Sequence, residues 1–489
     1  MSPPPTSSVD PRQHARRWWV LALIGVAQLM VVLDATIVNI ALPSAQRALA
    51  FSDENRQWIV TAYALAFGSL LLIGGRIGDL IGRKRVFVVG LIGFAVASAI
   101  GGAAQSFGML VFARALQGVF GALLAPAALS LLTTTFTDPA ERGRAFGVFG
   151  AIAGSGAAIG LLLGGMLTEW LSWRWCLYVN LLFALPAAFG ALSLLHDRAQ
   201  AEKPRLDVPG TLTSAAGLFL LVFGFSKAES DGWGATITLV SMAAAVVLLV
   251  LFVVIQTRVA HPLLPLRVVS DRDRGGSYLA VGISGAGMFG VFLFLTYYLQ
   301  ATLGFTPIQT GLAFLPLSFA IMLTATLSTA KLMPRFGHKW LVVVGMTMAA
   351  IAMVLLAQVG VDSSYATHVL PALLVMGLGL GFVFAPAMST ATLGVAPHDA
   401  GVASAMVNTS QQVGGSIGTA LLSTLAASAV TSYIGVHGPQ AVAQATVHGY
   451  TTAFWWSAAI FAVGAISAAV LMKSGVAELD PDAAPVLAH

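Results

Sequence analysis

The sequence predicts an all-α integral membrane protein of fourteen transmembrane helices, built as two six-helix units with a further pair between them. Three observations predict it. Charged residues make up 9% of the 489 residues and hydrophobic residues 57%, where a soluble domain carries about a quarter charged residues. Fourteen apolar runs are long enough for a helix to cross the hydrocarbon core, which takes about 20 residues. Two loops with the same punctuation also recur in the same order, at offsets of 255 and 258 residues.

Taken in order, the predicted spans cover 18–42, 57–75, 86–104, 108–134, 144–167, 175–195, 210–226, 236–257, 277–300, 307–330, 341–360, 366–392, 400–428 and 450–472. The first run, from Trp18 to about Pro43, is too long for the core of a cleaved leader and carries Asp34, so no cleavage is expected. The seventh is the shortest, flanked by Pro209 and Lys227.

Lys and Arg fix the orientation. With the N-terminus inside, 20 of the 25 fall in cytoplasmic segments. Arg47, Arg56, Arg174 and Lys227 lie outside, and Arg114 alone lies within a span. Both termini are expected in the cytoplasm of a bacterial cell, the chain crossing its inner membrane many times. The net charge of +5 then belongs to the inner leaflet and not to nucleic acid. Residues 1–17 and 473–489, polar and Pro-broken, read as disordered tails.

The repeat sets the domain plan. "GGRIGDLIGRKRV" after span 2 aligns with "KLMPRFGHKWLV" after span 10, Gly82 on Gly337. "AERGRAFGV" before span 5 aligns with "HDAGVASAM" before span 13, Gly143 on Gly401. Duplicated units of this kind are common in secondary transporters. The expected divisions are 18–195, a linker with the extra pair at 196–276, and 277–472.

The motifs resemble those of the major facilitator superfamily, and within it the fourteen-helix drug:proton antiporters. "GRIGDLIGRKR" (75–85) is similar to its signature loop, "RALQG" (114–118) to its helix 4 motif, and "LDATIVNIALP" (33–43) to the helix 1 motif of the drug exporters. "YYLQATLGFTPIQTGLAFLP" (297–316) and "AGVASAMVNTSQQVGGSIGTALL" (400–422) match the second half.

Asp34 is the one acidic residue placed mid-span. It lies 16 residues after Trp18, about 24 Å along a helix axis, in the outer half of the core. Facing lipid it would cost several kcal/mol, so it must face a watery cavity, find a partner or take up a proton. A carboxylate in low dielectric binds a proton more readily than one in water, which suits proton transfer between two faces. The inert alternative is a paired packing carboxylate. Arg114 falls at a similar height, roughly 9 Å from the outer face against about 13 Å for Asp34. The resemblance puts both helices on the central cavity, making Arg114 either the partner of Asp34 or a donor to neighbouring backbone carbonyls. Both can hold.

In the signature loop, Gly75, Gly78 and Gly82 permit a tight turn, and Asp79 can sit at the positive end of a neighbouring helix. The resemblance implies that this neighbour is span 13 and that the contact latches the inner side closed. Arg83 and Lys84 continue the loop, while Leu80 stands where the family carries a basic residue. In span 5, Gly156, Gly160 and Gly164 recur every four residues, followed by Gly165, a face that admits close helix packing. The resemblance makes this the antiporter motif, with Leu161 in place of its proline, so a proline-supplied kink is not expected.

The substrate is expected to meet Gln28, Asn39, Tyr63, Gln117, Phe289, Phe292, Tyr297, Gln300, Met388, Asn408, Gln411 and Gln412. Aromatic and Met-rich walls with few fixed charges suit hydrophobic or cationic molecules of variable shape. Other classes fit less well. The single Cys176 allows no intramolecular disulfide, all nine histidines fall in loops, tails or span ends, and no GxxxxGK[ST] loop occurs. No metal, cofactor or enzymatic activity is expected. The reading is a monomeric, proton-driven exporter of drug-like amphiphiles. The alternatives are an exporter of one endogenous metabolite or lipid, and an uncoupled facilitator.

Overall fold

The computed structural model describes residues 11–51, 53–195 and 207–475. Within them the side chains of 11–15, 39, 53–57, 157, 158, 289 and 397 are outside the description, so Asn39 and Phe289 are not among the described side chains. The greater part of both expected tails also lies outside.

Every regular element among the described residues is helical. The first half holds α1 (Pro11–Leu49), α2 (Asp53–Ile81), α3 (Arg83–Gly102), α4 (Phe107–Thr135), α5 (Pro139–Trp170) and α6 (Trp175–Leu194). Next come α7 (Val208–Ser230), α8 (Thr236–Gln256) and the short α9 (Leu266–Ser270). The remainder are α10 (Arg272–Gly290), α11 (Pro307–Leu327), α12 (Met333–Leu356), α13 (Leu370–Ala391), α14 (Ala400–His437) and α15 (Val442–Leu471). Beyond Gly290, α10 runs on through two π-helical turns, Val291–Leu295 and Tyr298–Thr302. Twelve helical stretches are long and apolar enough to cross a membrane, or thirteen with α5, whose limbs Pro139–Gly156 and Ile159–Trp170 meet at 47°.

That bend forms without a proline. Just before it, in the stretch Gly154–Ser155–Gly156, Ser155 Oγ donates back to Ala151 O at 2.6 Å. Such i−4 bonds bend helices. No proline-supplied kink was expected here, and the local chemistry bends the helix by another route.

Helix contacts repeat in a fixed pattern. α2 packs on α4 as α11 packs on α13; α3 packs on α4 and α6 as α12 packs on α13 and α15; α1 packs on α5 and α6 as α10 packs on α14 and α15. Between the two sets run two seams, α2 with α14 and α5 with α11 and α13. α7 pairs with α8 and leans on α2 and α14. Lipid gives helices little hydrophobic reason to associate, so close backbone approach at small residues has to hold them. A Cβ on Gly74 would strike Ala122 O, and one on Gly118 would meet Tyr63 O at 2.5 Å. Gly345 and Gly379 face each other's carbonyls in the same way.

The aligned loop glycines share a conformation. Gly82 has φ 103 and ψ 132, and Gly337 has φ 75 and ψ 166. Side chains rarely adopt this region, so the turn between α2 and α3 and the break inside α12 each fix their residue type.

Candidate functional site

Four helices of the first set close around Asp34. Arg114 Nη1 of α4 donates to Asp34 Oδ2 at 2.5 Å, and Gln117 Nε2, one turn on, donates to Oδ1 at 2.9 Å. Asn180 Nδ2 of α6 donates to the same Oδ1 at 2.7 Å. Ser98 Oγ of α3 accepts from Gln117 Nε2 at 2.8 Å and from Asn180 Nδ2 at 3.3 Å. Arg114 also donates Nη1 to Gln117 Oε1 at 2.8 Å and Nε to Ile59 O at 3.2 Å, with its guanidinium 4.5 Å from the Tyr63 ring centre. Both roles expected of Arg114, carboxylate partner and carbonyl donor, are thus filled together.

Burial is complete: Asp34 is 0% and Arg114 1% exposed. An isolated buried charge would be far costlier than this neutral pair, whose extra hydrogen bonds offset much of the desolvation. On the side of Asp34 away from the Arg83 loop lies an apolar cavity of about 10 Å³, lined by Val38, Ala41, Leu42, Ile59, Leu110 and Trp173 among others. It is barely the size of one water, and its walls offer almost nothing to bond one. α5 supports α1 at this height. Cβ atoms on Gly156 and Gly164 would come within 2.7 Å of Val32 and 2.9 Å of Ile37, and one on Gly160 would strike Thr36 Oγ1. Gly165 turns instead to Ile308 of α11.

The basic end of the bundle is tied across both seams. Gly401 N, at the start of α14, donates to both oxygens of Asp79 at 3.1 Å, and Arg83 Nη2 pairs with Asp79 Oδ1 at 3.1 Å. Gly75 and Gly401 allow this approach, since a Cβ on Gly75 would meet Gly401 O at 2.5 Å. Gly78 faces open space, and Lys84 Nζ donates to Leu192 O of α6 at 2.9 Å. On the other side, buried Arg142 of α5 donates to Ser389 O at 3.0 Å and Thr392 Oγ1 at 2.8 Å, where α13 ends. Sequence reasoning missed this second tie.

The residues expected to meet substrate are scattered by this closed arrangement. Tyr63 and Gln117 belong to the Asp34 network. Gln28 is 6% exposed with Oε1 unbonded among the described residues, and Met388 is buried. Phe292 packs on Phe314 with ring centres 5.3 Å apart, whereas Tyr297 is 49% exposed. Gln300 keeps a buried Nε2 without a partner among the described residues. Asn408 donates to Ser404 O of its own helix, Gln412 packs towards Gly68 of α2, and Gln411 is half-buried. Asn180 and Ser98 were not anticipated. Their signal was a lone polar residue in an otherwise apolar stretch, "WCLYVNLLFALP" for Asn180.

A family model described as Major Facilitator Superfamily matches residues 24–419, which include the Asp34 network and the ties across both seams. The chain belongs to that superfamily. Within the Major Facilitator Superfamily it is 52% identical over 463 residues to the puromycin resistance protein pur8 of Streptomyces alboniger, covering 94% of this chain and 92% of that one. It is 38% identical over 411 residues to the cephamycin export protein CmcT of Amycolatopsis lactamdurans, covering 83% and 85%. The human organic anion transporter MFSD10 (TETRAN) superposes with a TM-score of 0.63 at 16% identity, covering 92% of this chain and 99% of that one, a likeness of fold alone. The chain is therefore a membrane transporter and not an enzyme.

Proposed function

We propose that this superfamily member is a proton-coupled antiporter that exports antibiotic-like amphiphiles across the bacterial inner membrane by alternating access. It is a secondary transporter of drug-like compounds, as relatives named for puromycin resistance and for cephamycin export support. Coupling is assigned to Asp34, and the observation that carries it is the sealed Asp34–Arg114 pair. The pair is neutral while Asp34 is ionised. A proton arriving from outside converts it to a net positive cluster in a dry site, which destabilises the closed packing of α1, α4 and α6. Opening inward then lets Asp34 discharge the proton to the cytoplasm and the cavity take up substrate.

The Asp79–Gly401 and Arg142–Thr392 ties hold the inner side closed in the state described, with Gly75, Gly78, Gly82, Arg83 and Lys84 shaping the first of them. Gly156, Gly160, Gly164 and Gly165 let α5 slide between α1 and α11 as the halves tilt. The repeated contact pattern supports units of 18–195 and 277–472 with an inserted pair. The exporter is taken to work as a monomer. Fourteen crossings follow if the 50-residue stretch Pro307–Leu356 is divided at Gly337, since an unbroken helix of that length would span about 75 Å. The placement of 20 of 25 basic residues supports cytoplasmic termini. The substrate surface is assigned to the half-buried polar and aromatic side chains of α10 and α14 together with Gln28 and Met388.

The test is efflux of a fluorescent cationic dye and of puromycin from cells, with and without a protonophore. Export against a gradient should stop when the proton gradient is collapsed. Persistence of uphill efflux would overturn the antiport reading.

A further inference from the structure

One ligand of Asp34 has incomplete hydrogen bonds. Asn180 Nδ2 donates to Asp34 Oδ1 at 2.7 Å and to Ser98 Oγ at 3.3 Å, but Asn180 Oδ1 is buried with no partner among the described residues. A buried acceptor left empty is costly. The carboxylate has the opposite deficit. Every group bonded to it is a donor, namely Arg114 Nη1, Gln117 Nε2 and Asn180 Nδ2. A proton placed on Oδ1 would find nothing to accept it.

Only one of these ligands is free to reverse. Arg114 has no acceptor atom. Gln117 is held from both ends, with Oε1 accepting from Arg114 at 2.8 Å and Nε2 donating to Ser98 at 2.8 Å. Turning Asn180 moves the unbonded place from Oδ1 to Nδ2 and in return gives the acid an acceptor. A half-turn of its amide exchanges oxygen and nitrogen, sacrifices the long 3.3 Å contact to Ser98, and presents the empty Oδ1 to an Asp34 O–H.

We infer that Asn180 is a positioning residue that follows the protonation of Asp34, donating to the carboxylate and, turned over, accepting from the carboxylic acid. The inference rests on the reading of Asp34 as the proton carrier. The accounting is simple: one proton adds to Asp34 Oδ1, Arg114 keeps its own proton and its bond to Ile59 O, and no other covalent bond changes. Release of the proton reverses the amide. The charged or titratable groups facing Asp34 are Arg114 from α4, Tyr63 from α2 and Cys176 from α6. α3 offers Ser98, and α5 brings glycines against α1 at this height.

The test is acid–alkaline infrared difference spectroscopy on the purified full chain with isotope-labelled asparagine side chains. Protonation should raise a hydrogen-bonded carboxylic C=O band together with a change in a labelled amide band. Asp34→Asn should lose both, and Asn180→Leu should lose the amide change while its acid C=O moves to the frequency of an unbonded acid. In transport, Asn180→Leu removes a charge-assisted bond from the ionised form and a weaker one from the acid. The pH profile of export should therefore move up by about one unit, and Asn180→Ser, whose hydroxyl can donate or accept, should move it back. A wild-type carboxyl band without any labelled-amide change would overturn the inference and leave Asp34 as carrier. Absence of the carboxyl band would overturn both readings. The wild-type spectrum suffices to overturn the inference; should Asn180→Leu fail to fold, loss of the amide change in Asn180→Ser assigns the band among the four asparagines.

Discussion

The two six-helix sets pair their helices alike, yet they bury opposite chemistry. α1, α3, α4 and α6 enclose Asp34, Arg114, Gln117, Asn180 and Ser98. In the second set α10, α12, α13 and α15 bring together Leu295, Met346, Met353, Met376, Phe454 and Phe461, all fully buried. Its polar side chains there are small, with Ser284 Oγ bonding only Met346 Sδ at 3.8 Å and Ser457 Oγ unbonded among the described residues. The first half carries its charge pair in the middle of the helices; the second has its buried pair, His338 Nε2 with Asp273 Oδ1 at 3.0 Å, near the start of α12 and α10, and an apolar middle. In the proposed cycle the proton acts at Asp34, in the first half, so the second must be moved through the seams. Those seams are where Asp79 meets Gly401 and Arg142 meets Thr392.

Substitutions can break this asymmetry. The largest effect belongs to Asp34→Asn, which should abolish uphill export while protein abundance in the membrane stays at the wild-type level; unaltered export would make the carboxylate structural. Arg114→Ala strands a buried carboxylate, a loss of about 3–5 kcal/mol. Thermal unfolding of the purified protein should show it, and the pH profile of transport should change too. Asp79→Ala removes the acceptor of Gly401 N and should favour the inward-open state by roughly 1–3 kcal/mol. Spin-label distances between the basic ends of α2 and α14 would then lengthen, and buried Cys176 gives little background labelling. The smallest effect sharpens the contrast. Met376→Leu in the second half should cost less than about 1.5 kcal/mol and leave the pH profile in place, whereas a shifted profile would extend proton chemistry into that half.

Much of this site was legible in the chain. Helix positions follow from apolar length, and the depth of Asp34 against that of Arg114 follows from counting residues along two spans. The contact of Asp79 with the start of α14 was legible because Asp79 and three glycines cannot be explained by topology alone. Asn180 was not, because one amide in an apolar helix reads equally as a packing residue. The face it presents depends on tertiary contacts, and a helix apolar on all sides gives no directional pattern from which to read them. Tyr63 and Gln117 were picked out as residues, but their place in the Asp34 network was not, since sequence cannot tell a cavity wall from a buried network one turn away. Arg142 entered only in the count of cytoplasmic basic residues, and its bonds to Ser389 O and Thr392 Oγ1 depend on where α13 ends in the fold.

The central claim is that proton exchange at Asp34 drives export. Dye uptake into everted membrane vesicles tests it directly, with an acid-inside gradient imposed across wild-type and Asp34→Asn membranes of equal transporter content. The account predicts accumulation in wild-type vesicles that collapses with a protonophore, and none in Asp34→Asn. Gradient-driven accumulation by Asp34→Asn at the wild-type rate would contradict it.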